Sequence, residues 1–510
     1  MSGPSQGGVP GLVRDSGLDA DAAASAVGGA WIRRPSPESI LLGAAIDSRT
    51  VLRGNLFFAF AGEHVDGHDY VASAARAGAG AVVVERDVTA EGPDWAHTGV
   101  LRVGSTRAAM RDLAWAYRRS LDGLRVVAVT GSNGKTTTVR LVHAALRGGG
   151  LTGTHATRSH NNELGVPLTI LNARPTDEYL ICEVGMNAPG EIMPLAELAA
   201  PDIGVITSIG RAHLERLGSL AGIAEEKADL VRAISPNGVA VVTGDSPELD
   251  SALERGVSCR VVRVGVEERT TGPGRVGGFE PTAGGCSFGF DARTIRIPMT
   301  GLHNAGNAGM AYAVAREMGC EPDGVIAGLA EAIPPEMRQE IVDLPIVGED
   351  GVAGTIRIIN DAYNANPESV RAALSMLGSG GFDPSDSAAG RRSAILGDML
   401  EMGDAADSVH REIVDAVRDC DGIGIGLFVG PAYRGVLETV TDTRLSSLGG
   451  GDGGNDGQIE MQSEYWIPEA AHRLRPGDVV LLKGSRGMRL ERLLVALGGD
   501  TVPAGPVSTR

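Results

Sequence analysis

Residues able to bind phosphate are concentrated in one short stretch of this 510-residue sequence. An apolar, β-branched run ending at Thr130 leads into a glycine-rich turn and then into a segment able to form a helix. This order is typical of a phosphate-binding loop, in which backbone N–H groups at a helix N-terminus face an anion. The residues predicted to bind a nucleotide here are Gly131, Ser132, Asn133, Gly134, Lys135, Thr136 and Thr137.

The side chains of this loop suggest ATP with Mg²⁺. Gly131 and Gly134 let the backbone turn its N–H groups toward an anion. Lys135 adds a cation for the outer phosphates, and the Thr136 hydroxyl can ligate Mg²⁺. Val129 stands where the general pattern has its first glycine, so a glycine-rich turn with a surface lysine is the alternative.

Two further residues follow the predicted strands of the same region. Glu183 ends one strand, and His213 lies just beyond the end of the next. Because sites in a parallel sheet form beyond the carboxyl ends of the strands, we expect Thr136, Glu183 and His213 to meet around Mg²⁺. An ion pair for Glu183 and an ordinary loop histidine are the alternatives. Lys227 follows on a predicted helix and, from its sequence context alone, is better explained as a surface lysine.

Other polar clusters also follow predicted strands or loops and can hold a polar substrate or a carboxylate. The residues are Asn161, Asn162, Asp361, Asn364, Asn366, Lys483 and Ser485. Helix caps and turns are the alternative explanation for the asparagine-rich stretches at 161–167 and 360–367. Near the N-terminus, Ser48 and Arg49 can contact an anion from a loop, although residues of these types are more often part of a solvated turn.

The elements that must position these residues alternate between apolar strands and helices, which predicts an α/β fold with mainly parallel sheets. The length predicts more than one core. We expect hinge motion near residues 122 and 320, because the phosphate loop and the polar clusters that can hold a substrate lie on different predicted domains. The predicted segments are a disordered 1–30, a small α/β domain at 31–122, a central domain at 123–320, a C-terminal α/β domain at 321–498 and a flexible tail at 499–510.

Composition excludes several functional classes. The formal net charge is −18, which argues against a nucleic-acid partner or an anionic membrane surface. The five cysteines are scattered and lack zinc-site spacing, which suits a reducing cytoplasm. We find neither a signal peptide nor an apolar run long enough to cross a membrane, so no membrane insertion is expected.

Taken together, the motifs resemble those of the Mur ligase family over roughly residues 40–495. The family's ATP loop also lacks the first glycine of the general pattern. The matching stretches are 47–49, 66–69, 130–137, 161–169, 183–186, 361–367, 397–403 with His410, and 483–486.

The resemblance implies a cytoplasmic, monomeric enzyme of peptidoglycan synthesis that uses ATP and Mg²⁺. Its domains would be a nucleotide-sugar-binding domain, a central P-loop domain and a Rossmann-like ligase domain. Within the family, the 361–367 stretch is most similar to the branch that joins D-alanyl-D-alanine to UDP-N-acetylmuramoyl-tripeptide through an acyl phosphate. The alternatives are a sister ligase that adds a single amino acid, a non-catalytic ATP-binding sensor of the precursor, and a P-loop transport or signalling NTPase.

The resemblance also implies a role for each site residue. Lys135, Glu183, His213 and Lys227 would be catalytic, and Lys227 matches a lysine that is carbamylated in several members. Thr136, Glu183 and His213 would hold Mg²⁺. Further roles would be adenine contacts for Asn304 and Asn307, phosphate or ribose contacts for Arg338 and Asp361, UDP-sugar contacts for Ser48 and Arg49, muramoyl-peptide contacts for Asn161 and Asn162, and dipeptide contacts for Asn364, Asn366, Lys483 and Ser485.

Overall fold

A computed structural model describes residues 11–498, apart from 15–16, 63–64, 158, 267–269, 283, 349–350, 352, 380–389 and 449–462. It shows three α/β domains, which confirms the predicted fold class. The predicted tail lies outside the described residues. So do most of residues 378–390 and 446–458, whose composition, rich in glycine, serine and aspartate, predicts flexible insertions. None of the helices in the described ranges combines the length and apolar character needed to cross a bilayer.

The first domain is built on a sheet with strand order β3-β7-β6-β5-β4, in which only the β3–β7 pair is antiparallel. The prediction that residues 1–30 are disordered is wrong for the described part of that segment. Leu12 and Ala23 are buried in the core, and Asp19 caps a helix. Alanine-rich composition hid this helix, because it buries small residues without an obvious apolar stripe. The elements are β1 (Val13–Arg14), β2 (Gly17–Leu18), α1 (Ala20–Ala26), β3 (Ala30–Arg33), β4 (Ala44–Ala45), β5 (Leu56–Phe58), α2 (Val71–Arg76), β6 (Ala81–Val84), β7 (Gly99–Arg102) and α3 (Thr106–Ser120).

The central domain contains a fully parallel sheet with strand order β13-β12-β11-β8-β10-β9 and an antiparallel meander, β14-β15-β16. The four inner strands of the parallel sheet are buried along almost their whole length because helices cover both faces. The elements are β8 (Arg125–Thr130), α4 (Lys135–Gly148), β9 (Gly153–His155), α5 (Gly165–Leu171), β10 (Tyr179–Glu183), α6 (Ile192–Ala199), β11 (Ile203–Ile206), α7 (Leu214–Leu217), α8 (Leu220–Arg232), β12 (Val239–Thr243), α9 (Pro247–Leu253), β13 (Arg260–Val264), β14 (Gly277–Thr282), β15 (Gly285–Phe290), β16 (Arg293–Ile297), α10 (Leu302–Glu317) and α11 (Pro322–Ala330).

Helix α11 packs on α4, so the central domain continues beyond the predicted boundary at 320. The two helices approach closely at glycines: a Cβ on Gly148 would lie 2.3 Å from the Gly324 carbonyl oxygen. Val325 and Leu329 belong to the same apolar cluster as β8 and α4. The boundary was placed too early because Gly319 ends one helix but not the domain.

The C-terminal domain has strand order β17-β18-β22-β19-β20-β21, with an antiparallel hairpin at one edge and parallel pairing elsewhere. Its elements are β17 (Glu340–Val347), β18 (Ala353–Asn360), α12 (Pro367–Ser379), β19 (Arg392–Gly397), α13 (Ala406–Arg418), β20 (Ile425–Val429), α14 (Pro431–Leu437), β21 (Leu445–Leu448), α15 (Ser463–Arg473), β22 (Val479–Lys483) and α16 (Arg492–Ala496). Strands β18 and β22 pair in parallel and end at Asn360 and Lys483, so both residues lie at the same edge of the sheet.

Candidate functional site

A cavity of about 550 Å³ lies between the phosphate loop of the central domain and the strand ends of the C-terminal domain. This volume is in the usual range for a small-molecule site. Most of the predicted site residues lie on its wall. They are Ser132, Asn133, Gly134, Lys135, Thr137, Asn161, Asn162, Glu183, His213, Asn304, Asn307, Arg338, Asp361, Asn364, Asn366 and Lys483.

The phosphate loop joins β8 to α4 and is held in a bent conformation by its glycines. Gly134 precedes the helix with φ of +81°, and a Cβ there would lie 2.7 Å from Asn307 Oδ1. Lys135 Nζ donates to the Gly131 carbonyl oxygen at 2.7 Å, which folds the lysine back over the loop. The first N–H groups of α4 have no acceptor within the helix. The loop therefore presents N–H donors and a cation to the cavity.

Thr136 and Glu183 meet beneath this loop. The Thr136 hydroxyl donates to Glu183 Oε2 at 2.8 Å, and Asn161 Nδ2 donates to Oε1 at 2.9 Å. Arg338 Nη2 donates to Thr136 Oγ1 at 3.1 Å, and its guanidinium lies over the Tyr363 ring. Glu183 is only 1% exposed, so these partners stabilise its buried carboxylate.

Lys227 lies within α8 and is fully buried, which contradicts its interpretation as a surface lysine. Burial lowers the pKa of Lys227 well below its ordinary value, and the nearby charge of Lys135 lowers it further. The pKa of Lys135 is also lowered by burial, although Glu183 partly opposes that shift. The amine of Lys227 therefore loses its proton more readily than that of an ordinary, exposed lysine.

His213 lies on the cavity wall, and its Nδ1 is 2.6 Å from Glu401 Oε2 of the C-terminal domain. His213 and Glu401 both have positive φ values, 58° and 64°, which is uncommon for residues other than glycine. Within the described residues, no group of three His, Cys, Asp or Glu side chains could hold a metal ion. Thr136 and Glu183 nevertheless offer adjacent oxygen ligands, which fits Mg²⁺ shared with phosphates and water.

Helix α10 supplies the amides on the side of the cavity near the loop. Asn304 Nδ2 donates to the Thr300 carbonyl oxygen at 2.8 Å and to Gln339 Oε1 at 3.2 Å. Asn307 Nδ2 donates to Asn304 Oδ1 at 3.3 Å. Gln339 comes from the segment that connects the central and C-terminal domains, so both domains contribute to this wall.

The C-terminal domain contributes an ion pair and an amide. Lys483 Nζ lies 2.6 Å from Asp361 Oδ2 and donates to the Asn364 carbonyl oxygen at 3.2 Å. Asn366 Nδ2 donates to Asn133 Oδ1 of the phosphate loop at 2.7 Å. Asp361 therefore has a lysine partner inside the cavity, and Asn366 contacts the nucleotide loop itself.

Six predicted residues are not on the cavity wall: Gly131 and Thr136 belong to the loop beside it, Lys227 is buried in α8, and the others are Ser48, Arg49 and Ser485. Ser48 and Arg49 are in a short 3-10 turn of the first domain, where the exposed Arg49 guanidinium is 2.6 Å from Asp47. Ser485 Oγ accepts from the Leu400 backbone N–H at 2.9 Å. Asn162 lines the cavity, and its Oδ1 also accepts from the Gly165 N–H at 2.9 Å, which is the bond expected of a turn or cap residue.

Sequence analysis missed several residues of the site, including Ser208, Gln339 and Tyr363. Ser208 Oγ accepts from the Asn133 N–H at 2.8 Å, but no motif marks that serine. The rarity of lysine in the sequence was an available indication for three of the predicted residues. Only three of the 46 Lys and Arg residues are lysines, at positions 135, 227 and 483, and all lie at or beside this cavity. A lysine kept where arginine is used elsewhere suggests a need for a compact ammonium or amine.

Three family profiles match the chain. The profile described as "Mur ligase family, catalytic domain" matches residues 43–118. "Mur ligase middle domain" matches 129–315, and "Mur ligase, glutamate ligase domain" matches 344–486.

Curated relatives and solved structures cover nearly the whole chain. The UDP-N-acetylmuramoyl-tripeptide--D-alanyl-D-alanine ligase of Bacillus subtilis is 34% identical over 90% of this chain and 93% of its own length. The Mycobacterium tuberculosis protein of the same name is 36% identical over 89% and 91%. A crystal structure of MurF from Acinetobacter baumannii has a TM-score of 0.73 at 28% identity, over 94% of this chain and 98% of that one. MurF from Thermotoga maritima, solved with ADP, has a TM-score of 0.68 at 26% identity, over 90% and 97%.

Proposed function

The chain belongs to the Mur ligase family, and from that premise we propose that it joins D-alanyl-D-alanine to UDP-N-acetylmuramoyl-tripeptide, using ATP, in the synthesis of peptidoglycan precursors. The observation that carries this function is the shared cavity. The phosphate loop, the carboxylate of Glu183 and the Lys483–Asp361 pair face one space, so that a phosphorylated acid and an incoming amine can meet there.

ATP lies with its phosphates over the loop from Gly131 to Thr137, where helix N–H groups and Lys135 bind the γ-phosphate. Asn304 and Asn307 on α10 contact the adenine, and Arg338 contacts a phosphate. Arg338 is supported in that role by its bond to Thr136 and its packing on Tyr363, which fix the guanidinium toward the loop. Asp361 is near enough to the same region to accept from the ribose.

In the first step, a terminal carboxylate oxygen of the tripeptide attacks the γ-phosphorus, and ADP leaves with the bridging oxygen. The negative charge that develops on the phosphoryl oxygens is stabilised by Lys135 and the loop N–H groups, so catalysis is mainly positioning and electrostatics. Thr136, Glu183 and His213 are the residues that would hold Mg²⁺, which supplies further charge neutralisation when it is bound.

Lys227 supports the metal side of this site. Its lowered pKa makes the neutral amine easier to form, and that amine can attack the carbon of CO₂ and lose a proton to give a carbamate. That modification would convert a buried amine into an anion suited to a metal. The carbamate can be detected by incubating the protein with labelled CO₂ and trapping the modified lysine chemically. Mass spectrometry should then find the label on Lys227.

In the second step, the amine of D-alanyl-D-alanine attacks the acyl carbon, and phosphate leaves. The C-terminal domain holds the dipeptide: Lys483 and Ser485 are assigned to its carboxylate side, with Asn364 and Asn366 as amide partners. Asn161 and Asn162 contact the muramoyl peptide, and Ser48 and Arg49 contact the UDP-sugar from the first domain. The enzyme acts as a monomer in the cytoplasm, where ATP and the nucleotide-sugar substrate are made.

The test is release of ADP by the purified chain with ATP, Mg²⁺ and UDP-N-acetylmuramoyl-tripeptide, with and without D-alanyl-D-alanine. Turnover that requires the dipeptide and yields the pentapeptide is the expected result. Turnover with a single free amino acid instead would indicate a sister ligase. ATP binding without turnover for any amine would indicate a precursor sensor.

A further inference from the structure

Arg211, in the loop after β11, connects the central domain to two carboxylates of the C-terminal domain. Its Nε donates to Glu368 Oε1 at 2.8 Å, and its backbone N–H donates to Glu368 Oε2 at 3.1 Å. Its Nη1 and Nη2 donate to the two oxygens of Glu412 at 3.2 and 3.0 Å. We call Arg211, Glu368 and Glu412 the Arg211 bridge.

The central-domain end of the bridge is fixed to the phosphate loop. The Ser132 N–H donates to the Ser208 carbonyl oxygen at 2.9 Å. The Ser132 hydroxyl donates to the Gly210 carbonyl oxygen and accepts from the Gly210 N–H, both at 2.9 Å. Gly210, the residue before Arg211, is therefore hydrogen-bonded to Ser132, so a displacement of the Arg211 backbone would also displace the phosphate loop.

The other end of the bridge is fixed to the part of the C-terminal domain that faces the cavity. Glu368 is in the first turn of α12, two residues after Asn366, which contacts Asn133. Glu412 lies on α13, and its Oε2 also accepts from Arg371 Nη2 on α12 at 2.9 Å. The bridge thus contacts both helices that support the C-terminal wall of the cavity.

The chemistry of the bridge suits a contact that forms and breaks. The two carboxylates are balanced by Arg211 and Arg371, so these four groups together carry no net charge. The hydrogen bonds from Arg211 lower the pKa of Glu412, which keeps it ionised. All of these side chains stay partly accessible to water, so their separation leaves no buried, unpaired charge.

We propose that Arg211 is a positioning residue that sets the C-terminal domain over the phosphate loop, so that the amine held by that domain reaches the activated carboxyl group. The proposal rests on the proposed function. A planar guanidinium can contact two carboxylates at once through fixed donors, which the ammonium of a lysine cannot do. Arg211 acts through Glu368 and Glu412 and does not touch the substrates.

The test compares R211A and R211K with R371A, which removes a bond to the same Glu412 within one domain. For each full-length variant, steady-state kinetics are measured for all three substrates, together with affinity for a non-hydrolysable ATP analogue. We expect R211A to lose about 10- to 100-fold in kcat/KM for the dipeptide, the size expected for misplaced reacting groups. R211K should lose less, R371A should resemble wild type, and affinity for the analogue should be unchanged in all three.

Small-angle scattering with the ATP analogue and both substrates gives a second readout. Wild type and R371A should become more compact, and R211A should not. E412Q, which alters the opposite side of the boundary, should reproduce the R211A kinetics and covers the case that R211A fails to fold. Equal kinetics for R211A and R371A, or equal loss of ATP affinity and turnover in R211A, would overturn the proposal. Absence of dipeptide-dependent turnover in wild type would instead contradict the proposed function, while the scattering comparison would still test the bridge.

Discussion

The two boundaries between domains differ in the kind of side-chain contact that holds them together. A single apolar cluster runs from the first domain into the central domain, and helix α3 lies inside it, packed on α5 and α6. Polar atoms reinforce this boundary, as when the buried Tyr117 hydroxyl donates to the Ala173 carbonyl oxygen at 2.7 Å. Among the described residues, no apolar cluster includes both the central and the C-terminal domain. Side-chain contacts that connect these two domains include the Asn366–Asn133 amide pair and the Arg211–Glu412 ion pair.

This difference separates a permanent contact from one that can open. Separating the first and central domains would expose apolar surface at about 25 cal/mol per Å². Separating the central and C-terminal domains would expose groups that water can solvate. The expected hinge near residue 122 is therefore disfavoured, whereas the connection after α11 leads to the polar boundary, where the cavity lies.

The largest effect should come from a residue of the cavity that supports neither boundary. K135A should lower turnover about a thousandfold, because it removes the cation for the developing phosphoryl charge. It should leave the free energy of unfolding unchanged or higher, since burial already disfavours that ammonium. R140A, on the same helix outside the cavity wall, is the control for ADP release and for urea denaturation. Turnover in K135A as fast as in R140A would contradict the site assignment.

The apolar boundary can be weakened directly. Leu113 on α3 is 1% exposed in the shared cluster, so L113A should cost about 2–5 kcal/mol in urea unfolding. Turnover per folded molecule should not change. L52A is the matched control, because Leu52 is 70% exposed in the same domain and its loss should cost less than about 0.5 kcal/mol. If the first domain unfolded in a separate step from the central domain, the apolar boundary could not be a permanent contact.

Salt should distinguish the boundaries by a smaller effect. Raising ionic strength from 0.05 to 0.5 M shortens the screening length from about 14 to 4 Å and weakens the half-exposed bridge around Arg211. We expect kcat/KM for the dipeptide to fall by about threefold in wild type and by less in R211A, which has already lost the bridge. Salt effects of equal size in both proteins would show that the bridge does not carry this dependence.

Lowering the pH should cause the smallest effect, a modest fall in the free energy of unfolding of the first and central domains, which share one apolar cluster. Burial lowers the pKa of His143 on α4 to about 4, whereas an unfolded histidine titrates near 6.5. The unfolded chain therefore takes up the proton first, and this stability is complete above pH 6.5 and is lost as pH falls toward 4. Between pH 7 and 5, the free energy of unfolding of the first and central domains, measured in urea, should fall less in H143Q than in wild type. H97Q is the control at an exposed histidine, and it should behave like wild type.

The sequence predicted the fold class and the strand–loop–helix arrangement around Lys135 because both depend on local patterns. Apolar strands such as Val126–Thr130, alternating with helices, and the glycines around Lys135 carry that information within a few residues. What was missed depends on contacts between distant segments. The helix at Ala20 and the continuation of the central domain into α11 are decided by packing, and the partners of His213 and Arg211 come from another domain. Lys227 was misplaced for the same reason, although the scarcity of lysine could have corrected it.

The central claim is that the cavity joins an acid to an amine through an acyl phosphate, and the fate of one oxygen atom tests it. UDP-N-acetylmuramoyl-tripeptide carrying isotopically labelled oxygen in its terminal carboxylate is turned over with ATP and D-alanyl-D-alanine, and the released phosphate is analysed by mass spectrometry. Attack of the carboxylate on the γ-phosphorus predicts one labelled oxygen in each phosphate released. Unlabelled phosphate from a reaction that still forms the pentapeptide would contradict it.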